Sequence, residues 1–428
     1  MKYSIYNTLI KVSPKIVLLF NSFTDSFMFL NASVSELLNN APLIKEKYLN
    51  LYRNMVKKGF YVANNTNEFQ KLKKYSEEIL NNTKTFFLIV NPTINCNLKC
   101  WYCYEKHEVS EMNEETFQNV SSFIKNKIES GIEAFTLGFF GGEPLMKYKS
   151  VVNPLVDYTY NLCKQREVRF AITFTTNGTL LTKSIIEELC RYSTPSFQIT
   201  LDGNEEFHNK VRYFANQKGT YSLIMQNIKM LLEHDCHVRL RINYTKDNVK
   251  TLHEILQDAI VLYGEHKNRI EFDFHRVWQD RDHERVLPEI KAYADELFEK
   301  GFMAFYDEYN GIRNACYADK MNTAAINYNG DVFKCTAKDF TKENREGVLL
   351  DGGEIKWENS QEYRMSLKLK NPECHHCSIA PMCGGGCSRY ILEKEEKPYC
   401  LFNHDTKAIE TFILNHVEKL IRNGCVNQ

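Results

Sequence analysis

The middle of the chain alternates between apolar runs that suit β-strands and longer segments with the periodicity of amphipathic helices. Six apolar runs rich in β-branched and aromatic residues predict strands: TFFLIVNPT, AFTLGFFGG, VRFAITFTTNG, SFQITLDG, HVRLRINYT and RIEFDFHRV. A helical pattern follows each run, as in TFQNVSSFIKNKI, SIIEELCRY and YSLIMQNIKMLLEH. Six βα units in series predict an α/β fold built on a parallel sheet.

Residues 1–85 carry a different pattern. Two β-like runs, YSIYNTLIKV and KIVLLFNS, precede the helical segments SVSELLNN and LIKEKYLNLYRNMVKKGF, the second of which ends at Gly59 before YVANN. This order predicts a small domain shaped like a winged helix, followed by a helical linker in EFQKLKKYSEEILNN. The domain is mildly basic, because it contains twelve Lys and Arg against six Asp and Glu.

Composition and charge restrict the class of protein. A chain of 428 residues with 43% hydrophobic and 25% charged residues is globular and long enough for two or three domains. The longest apolar run, KIVLLFNSF, is too short to span a bilayer and the N-terminus lacks a signal-peptide pattern, so we expect a cytoplasmic protein without a membrane partner. Because 54 basic residues balance 54 acidic ones, we expect no nucleic-acid partner either.

Fourteen cysteines are present, and ten of them fall into two groups. The cytoplasm keeps thiols reduced, so metal ligation is a better expectation than disulfide pairing. The four isolated cysteines are predicted to pack as small apolar residues: Cys163, Cys190, Cys236 and Cys425. The first group comprises Cys96, Cys100 and Cys103, and the second comprises Cys316, Cys335, Cys374, Cys377, Cys383, Cys387 and Cys400.

Unusual residues collect at the ends of the predicted strands. The first cysteine group follows the first strand, GGEP follows the second, TTNG ends the third and TLDG ends the fourth. In parallel sheets, chemistry concentrates at the carboxyl ends of the strands, because these ends meet at one edge of the sheet. We therefore expect the cysteine loop and the three polar motifs to form one site.

The first cysteine group has the spacing C-x3-C-x2-C, which lets three thiolates face one metal site. Zinc is one alternative; it would need a fourth ligand, for which His107 is the nearest candidate. An iron–sulfur cluster of the [4Fe-4S] type is the other alternative, and it would leave one iron free for a small molecule. A position at the mouth of an α/β barrel is unusual for structural zinc and favours the cluster.

This loop, with the aromatic Tyr102 directly before the third cysteine, resembles that of radical S-adenosylmethionine (radical SAM) enzymes. The resemblance implies a partial (β/α)6 TIM-type barrel over residues 86–305, with SAM bound to the free iron. It also implies reductive cleavage of SAM to a 5′-deoxyadenosyl radical that abstracts hydrogen from a substrate. The cofactor supplies this chemistry, and the protein orients it.

The GGEP motif resembles the family's binding site for the amino group of SAM. Its glycines permit close approach of the backbone, and carbonyl or Glu143 oxygens would accept hydrogen bonds from the ammonium group. The alternative is a plain turn. The residues concerned are Gly141, Gly142, Glu143 and Pro144.

Further polar residues match positions at which the family contacts the rest of SAM. Arg212 is a candidate partner for the methionine carboxylate, although exposed arginines are common on any surface. Three other residues match positions at which the family contacts the ribose of SAM. The alternative is that they are polar residues of ordinary strand-end turns without a role in binding. Those residues are Thr175, Asn177 and Thr200.

The second cysteine group resembles the C-terminal SPASM extension of radical SAM enzymes, which carries two auxiliary clusters. The alternative is a zinc ribbon or a pair of zinc sites. The resemblance implies one cluster on Cys374, Cys377, Cys383 and Cys400, and another on Cys316, Cys335 and Cys387. Together with the first loop, this predicts three [4Fe-4S] clusters, with residues 306–428 as the SPASM domain.

The second auxiliary set has three cysteines, since no cysteine lies between Cys236 and Cys316. Its open position could take water, an oxygen ligand such as Asp319, or a cysteine thiolate of the substrate, and the last would suit thioether formation. Sulfatase maturases of this family carry an aspartate directly after the residue matching Cys335. Here Thr336 occupies that position and Asp339 follows, which makes Asp339 the candidate catalytic residue and puts sulfatase-type oxidation in doubt.

The resemblance implies a radical SAM enzyme that matures a ribosomally made peptide (a RiPP). The precursor peptide would be crosslinked through a thioether, C–C or C–O bond, or otherwise oxidised, and residues 1–85 would recognise its leader as an added strand. A small electron donor such as flavodoxin or ferredoxin is the second expected partner. The alternatives are a sulfatase-type maturase and a non-enzymatic cluster- or zinc-dependent sensor or binding protein, including a winged-helix DNA-binding regulator.

Overall fold

A computed structural model describes residues 1–280, 282–306, 315–358, 361–393 and 399–422. The described residues fall into two compact units. The first lies within 1–82, 311–321 and 360–428, and the second within 83–310 and 322–359. The segment predicted as a C-terminal domain, 306–428, is thus divided between the two units, and Cys425 lies outside the described residues.

The N-terminal part of the first unit consists of short strands and helices. The strands are β1 (Lys2–Tyr3), β2 (Asn7–Lys11), β3 (Ile16–Asn21), β4 (Ser26–Asn31) and β5 (Tyr61–Val62). The helices are α1 (Ala32–Ser35), α2 (Ala41–Lys47), α3 (Leu49–Lys57) and α4 (Glu68–Leu80). An antiparallel sheet has the order β2-β3-β4, and β1 pairs with β5.

Two features of this region differ from the sequence prediction. The segment SFMFLN, for which the sequence pattern predicts no element, forms β4 and pairs with β3 from Asn21 opposite Ser26 to Ile16 opposite Asn31. The predicted helix LIKEKYLNLYRNMVKKGF is interrupted at Tyr48, whose backbone angles (φ −138°, ψ 59°) are not helical. The linker helix is confirmed as α4.

The second unit contains an eleven-stranded sheet. Seven of its strands are parallel neighbours in chain order: β6 (Thr85–Asn91), β7 (Ala134–Phe139), β8 (Arg169–Thr175), β9 (Ser196–Leu201), β10 (His237–Tyr244), β11 (Ile270–Arg276) and β12 (Met303–Phe305). The first six are the strands predicted from the sequence. The short β12 was not predicted.

Helices follow these strands, as the alternating pattern predicts. They are α5 (Glu114–Glu129), α6 (Asn153–Gln165), α7 (Lys183–Cys190), α8 (Glu205–Val211), α9 (Tyr221–Glu233), α10 (Leu252–Tyr263) and α11 (Leu287–Glu299). Side-chain caps set several of their starts: Asn113 accepts a hydrogen bond from Thr116 N at 2.8 Å, which satisfies one free N–H of the first turn of α5.

Strands from the predicted C-terminal domain extend the same sheet. They are β13 (Thr323–Asn327), β14 (Asp331–Phe333), β15 (Gly347–Leu349) and β16 (Ile355–Trp357). β13 lies parallel to β6, and β14, β15 and β16 continue in antiparallel order. The cysteine loop after β6 therefore has β7 on one side of its strand and β13 on the other.

The two faces of the parallel sheet differ in polarity. On β9, Phe197, Ile199 and Leu201 are buried in the apolar core together with residues of α9 and α10. The alternate residues, including Thr200, are partly exposed on the other face, because successive side chains of a strand point to opposite sides. Arg241 of β10 lies beside Thr200 in the register and shares this polar face.

The C-terminal part of the first unit adds four helices among the described residues: α12 (Gln361–Ser366), α13 (Ala380–Cys383), α14 (Ser388–Glu393) and α15 (Thr406–Arg422). His416 of α15 lies with its Nε2 2.6 Å from Asp25 Oδ1, and its ring packs edge-on against Phe20 of β3. On the other face of β3, Leu19 packs in the core formed with α2 and α3. The central strand β3 is therefore covered on both faces.

Within the described residues, none of the helices combines the length and the apolar composition that a membrane span requires.

Candidate active site

The first cysteine loop directly follows β6. Cys96, Cys100 and Cys103 are all partly exposed, and the loop is stabilised by its own contacts, including a 3.2 Å hydrogen bond from Cys103 N to Cys100 O. His107, the candidate zinc ligand, has its Nδ1 2.9 Å from the carbonyl oxygen of Ile94. Among the described residues, no three His, Cys, Asp or Glu side chains are arranged as ligands of a single metal ion.

Burial shapes the chemistry of these thiols. It raises the pKa of Cys96 to about 12 and that of Cys103 to about 11, and nearby carboxylates (Glu143 and Glu105, respectively) add to the effect. Burial also raises the pKa of Cys100, which the guanidinium of Arg212 opposes. The thiols must lose their protons to bind a metal, so loading of this loop is coupled to proton release.

The glycines of GGEP bring this motif into direct contact with the cysteine loop. Gly142 has φ +41°, and a Cβ there would overlap the carbonyl oxygen of Asn95. At Gly141, φ is +79° and a Cβ would lie 2.8 Å from Asn91 Cβ. Glu143 N donates to Asn95 O at 2.9 Å. The glycines are thus required both by the backbone conformation and by the close approach of the two loops.

Glu143 does not face the space beside these loops. Its side chain is fully buried and accepts hydrogen bonds from Asn177 N at 2.7 Å, Thr176 Oγ1 at 2.8 Å and Leu145 N at 3.0 Å. Burial raises the pKa of Glu143 to about 7, and these hydrogen bonds oppose the rise. Glu143 therefore links GGEP to TTNG, and Thr176, which sequence reasoning missed, is its partner.

The other predicted contacts of this region lie around the same loops. Asn177 Nδ2 donates to Asn97 Oδ1 at 2.8 Å and lies 3.8 Å from Cys96 Sγ, so TTNG reaches the cysteine loop. Pro144 is buried at the first position of a 3₁₀ turn. Thr175 and Thr200 end or lie near the ends of β8 and β9 and are partly exposed.

Tyr102 lies at the centre of a polar network. Its hydroxyl donates to Asp202 Oδ1 at 2.6 Å and accepts from Arg212 Nη2 at 2.7 Å and Asn243 Nδ2 at 2.9 Å. Arg212 also forms a buried ion pair with Asp202 through Nε. The predicted SAM-binding residues Tyr102 and Arg212 are therefore brought together, and the guanidinium is already paired with a carboxylate.

His208 supports this network from the core. Its Nδ1 accepts a hydrogen bond from Asp202 N at 3.3 Å, and its Nε2 lies 3.0 Å from Thr220 Oγ1, which itself donates to Arg212 O at 2.8 Å. These contacts fit a neutral imidazole protonated at Nε2. Burial lowers the pKa of His208 to about 3, and the charge of Arg212 contributes to this shift. The sequence does not predict Asp202 and His208 as site residues, although Asp202 is part of the strand-end motif TLDG.

Asp339, the candidate catalytic residue, contacts the cysteine loop. Its Oδ1 accepts a hydrogen bond from Lys106 N at 3.2 Å, and Tyr104 OH donates to the carbonyl of Thr336 at 2.6 Å. Glu105 Oε2 accepts from Gly142 N at 2.8 Å. Burial raises the pKa of Glu105 to about 7, and the negative charge of Asp339 adds to the rise. Two carboxyl groups thus flank the end of the cysteine loop.

Four cysteines of the second group lie together in the first unit. Cys374 and Cys377 flank the end of a 3₁₀ turn, Cys383 ends α13, and Cys400 Sγ accepts a hydrogen bond from His404 N at 3.3 Å. The thiols influence one another: burial raises the pKa of Cys374 to about 12, and neighbouring Cys383, Cys377 and Cys400 add to the rise. Four convergent thiols are a donor set that suits iron and sulfide.

The remaining three cysteines of this group are divided between the units. Cys316 and Cys387 belong to the first unit, and Cys335 belongs to the second. Asp319, considered as an oxygen ligand for their cluster, is 1% exposed. Its carboxylate accepts a hydrogen bond from Ser388 and lies 3.0 Å from the Lys368 ammonium. These contacts weigh against Asp319 as a metal ligand.

The isolated cysteines within the described residues pack as expected. Cys163 and Cys236 are buried in the core of the second unit. Cys190 is partly exposed, with its sulfur 3.7 Å from that of Cys236. These residues belong to the apolar packing and take no part in the two cysteine groups.

Comparisons with known proteins identify related sequences and structures. Residues 90–259 match the family model of the radical SAM superfamily. The chain is 28% identical over 161 residues to a cysteine-type anaerobic sulfatase-maturating enzyme of Clostridium novyi, which covers 35% of this chain and 41% of that protein. It is 21% identical over 426 residues to the radical SAM cyclopropyl synthase TigE of Paramaledivibacter caminithermalis, covering 92% of this chain and 86% of that protein.

Solved structures share the fold. The enzyme anSMEcpe with bound AdoMet superimposes with a TM-score of 0.62 at 18% identity, covering 79% of this chain and 99% of that one. SuiB of Streptococcus suis, bound to its precursor peptide SuiA, has a TM-score of 0.52 at 16% identity, covering 93% of this chain and 98% of that one. The predicted α/β fold is confirmed.

Proposed function

Because this chain carries a radical SAM domain and is an enzyme of that kind, we propose that it matures a ribosomally made peptide by hydrogen abstraction. When bound, a [4Fe-4S] cluster and SAM supply the 5′-deoxyadenosyl radical that removes hydrogen from the substrate. The donor set fits these groups, since one loop offers three cysteines and the adjoining GGEP loop has no side chain at its two glycines. Cys96, Cys100 and Cys103 would hold the cluster.

The protein's own residues would orient SAM and limit its freedom. Gly141 and Gly142 keep backbone groups accessible beside the cysteine loop, and Glu143 holds their turn in place through Thr176 and Asn177. Because Glu143 is engaged in this way, we assign the amino group of SAM to backbone carbonyls of the motif.

The polar face of the barrel provides the remaining contacts of the proposed site. Arg212, fixed by Asp202 and Tyr102, supplies a cation whose orientation is set before any ligand binds. Thr175, Asn177 and Thr200 would contact the ribose. We propose Asp339 as the residue that accepts a proton from the substrate, since it lies at the end of the cysteine loop.

A peptide substrate is supported by one observation above all: strand β4 pairs only with β3 within the described residues, which leaves an edge for an added strand. The opposite edge, β2, is partly covered, because Thr8 Oγ1 donates to Ser378 Oγ at 2.8 Å. Phe29 of β4 is 49% exposed and would contact a docked leader. The excess of Lys and Arg in residues 1–85 favours an acidic leader.

The finer chemistry of the product is also a proposal. We propose two auxiliary clusters, on Cys374, Cys377, Cys383 and Cys400 and on Cys316, Cys335 and Cys387, and an electron donor of the flavodoxin or ferredoxin type. The second set would bind a substrate thiol at its open position and lead to a thioether, with a C–C or C–O crosslink as the other outcome. Sulfatase maturation is the second candidate because of the similarity to the C. novyi enzyme. It is disfavoured because Thr336 occupies the position at which sulfatase maturases carry an aspartate.

Two experiments test this function. In the first, anaerobically purified protein is incubated with SAM and dithionite, and 5′-deoxyadenosine is measured. We expect its formation to be abolished by alanine at Cys96, Cys100 and Cys103 together and to persist in Cys163→Ala, whose thiol lies in the core. Undiminished 5′-deoxyadenosine in the triple variant would overturn the assignment.

In the second experiment, the protein is incubated with the peptide encoded by a short reading frame beside the gene, and the product is analysed by tandem mass spectrometry. Phe29→Ser should weaken binding of this peptide, measured by fluorescence anisotropy, while SAM cleavage without peptide is unchanged. Val261→Ser is the matched control, because it removes a residue that is 81% exposed on α10. Equal peptide affinity of the two variants would contradict docking at β4.

A further inference from the structure

A lysine is buried beside the four-cysteine set of the first unit. Lys368 is 6% exposed, and its Nζ donates a hydrogen bond to the carbonyl of Gly386, between Cys383 and Cys387. The same Nζ lies 3.0 Å from Asp319 Oδ2. The two groups form a close ion pair, although their geometry does not meet that of a hydrogen bond. A buried ammonium is costly unless it is paired, so this position is a specific arrangement of charge.

The CGGGC loop is packed directly onto the segment that carries Lys368. Gly385 has φ +84°, and a Cβ there would overlap the backbone nitrogen of Leu369. The carbonyl of Gly386 can therefore reach Lys368 only because the loop has no side chain at this contact. The position of the ammonium is thus set by the same loop that separates Cys383 from Cys387.

Lys368 lies on the segment that packs against the cysteines themselves. Its neighbour Leu369 belongs to the apolar cluster against which Cys374 and Cys377 pack, and its own Nζ contacts the loop between Cys383 and Cys387. A cation in such a poorly solvated region stabilises negative charge on neighbouring sulfurs.

Asp319 opposes the charge of Lys368. Its Oδ2 lies beside the Lys368 ammonium, and its Oδ1 accepts a hydrogen bond from Ser388. Arg364 Nη1 lies 4.0 Å from Oδ1 and 2.9 Å from Ser388 Oγ. Removal of the carboxylate charge would therefore leave the charge of Lys368 less compensated at the cysteine set.

We infer that Lys368 sets the reduction potential of the cluster bound by Cys374, Cys377, Cys383 and Cys400, raising it, and that Asp319 moderates this effect. The inference rests on the proposed presence of that cluster. One-electron reduction adds a negative charge to a centre that already carries four thiolates, so a nearby buried cation stabilises the reduced form more than the oxidised form. Lys368 is a positioning residue in this role, since it acts through the cluster's surroundings.

The test is a redox titration of the full-length protein, reconstituted anaerobically with iron and sulfide and followed by EPR spectroscopy. The signal that Cys374→Ala removes identifies the relevant cluster. We expect Lys368→Met to shift its potential to more negative values and Asp319→Asn to shift it to more positive values. Lys368→Arg, which keeps the charge, should stay close to wild type, as should the double variant of Lys368→Met with Asp319→Asn.

Lys370→Met is the matched control. This substitution removes the same charge two residues further along the chain, where the side chain is exposed and water screens the charge. The potential of the cluster in Lys370→Met should therefore equal that in wild type. Asp319→Asn keeps the hydrogen bond from Lys368 to Gly386. A purely structural role for Lys368 would therefore predict no shift of the potential to more positive values in this variant.

Failure of the inference is distinguishable from failure of the proposed function. Wild-type protein without a signal that depends on Cys374 would overturn both. A signal whose potential is the same in wild type, Lys368→Met and Asp319→Asn would overturn the inference alone. If Lys368→Met loses its iron, Asp319→Asn decides the outcome, and an unmoved or more negative potential in that variant overturns the inference.

Discussion

The carboxylate of Glu143 accepts a 2.7 Å hydrogen bond from the backbone N–H of Asn177. This contact joins the loop after β7 to the loop after β8 and so links the ends of two neighbouring strands. Asn177 in turn donates to Asn97 of the cysteine loop. Three of the four strand-end segments predicted to form one site are thereby connected through side chains rather than through a bound ligand.

Removal of this connection should affect both stability and SAM binding. We expect Glu143→Ala to leave three buried donors without their partner, at a cost of about 1–3 kcal/mol for each donor that water cannot reach. SAM affinity, measured by calorimetry on reconstituted protein, should fall as GGEP loses its position. The free energy of unfolding, measured by chemical denaturation, should fall in parallel.

Thr176 provides the graded control for Glu143. Thr176→Ser keeps the hydroxyl that donates to Glu143 and should remain close to wild type, whereas Thr176→Val removes it and should show part of the Glu143→Ala effect. Wild-type SAM affinity and stability in Glu143→Ala would contradict a linking role for this carboxylate.

Gly142 and Gly131 allow backbone strain to be separated from crowding. Both have positive φ, but a Cβ at Gly142 would overlap Asn95 O, whereas at Gly131 nothing lies within 4 Å. We expect Gly131→Ala to cost about 1 kcal/mol through backbone strain alone. Gly142→Ala should in addition displace the cysteine loop and reduce its iron content, measured as iron per chain.

Equal iron content in the two alanine variants would mean that the cysteine loop tolerates a side chain at Gly142. The comparison isolates the contact, because the substitution and the sign of φ are the same at both positions.

The folded protein should lose stability in acid because of His208. Its pKa is lowered to about 3, mainly by burial, so between that value and about 6.5 the unfolded chain binds a proton that the folded chain does not. The stabilisation is present above about pH 6.5 and is lost as the pH falls towards 3, by about 1.4 kcal/mol per pH unit from this group.

Chemical denaturation at pH 7.5 and pH 5.5 measures this effect. We expect His208→Gln to be less stable than wild type at pH 7.5, because it disturbs the contacts with Asp202 and Thr220, but to lose less stability on acidification. His237→Gln controls for a histidine substitution at an exposed position of β10. The same pH dependence in wild type and His208→Gln would contradict the prediction.

The sequence predicts six of the seven parallel strands of the second unit, since each βα unit is local and its periodicity is read directly from the chain. It does not predict that β13–β16 extend the same sheet. All six predicted strands are present, and the cysteine loop, GGEP and TTNG meet at their ends. The roles inside the site were less predictable. The sequence suggests that Glu143 faces a ligand, whereas in the structure its carboxylate binds Thr176 and Leu145. The sequence does not reveal this burial, because burial depends on how other loops pack.

The first unit was harder to predict because distant segments form it. Phe20 and His416 are in contact although nearly the whole chain lies between them, and no local pattern signals such pairing. The same holds for Asp319 and Lys368, which a sequence reading treats as independent charges. Deletion of residues 1–85 would therefore uncover part of α15, so point variants on β4 are the better test of peptide recognition.

Tyr102 and Tyr104 flank Cys103 and give the last comparison. The Tyr102 hydroxyl contacts Asp202, Arg212 and Asn243, whereas Tyr104 is exposed and its hydroxyl donates to Thr336 O. Phenylalanine at position 102 would leave a buried guanidinium and amide short of a partner, at a cost of about 1–3 kcal/mol, while phenylalanine at position 104 should cost about 1 kcal/mol or less.

The effect at Tyr102 should extend to catalysis, because its hydroxyl ties the cysteine loop to the strand ends that carry Asp202 and Asn243. We expect Tyr102→Phe to retain iron, since Cys96, Cys100 and Cys103 remain, but to form 5′-deoxyadenosine at least several-fold more slowly. Tyr104→Phe should cleave SAM at close to the wild-type rate. Equal rates in the two variants, with equal iron content, would show that the network around Tyr102 stabilises the fold without positioning the site.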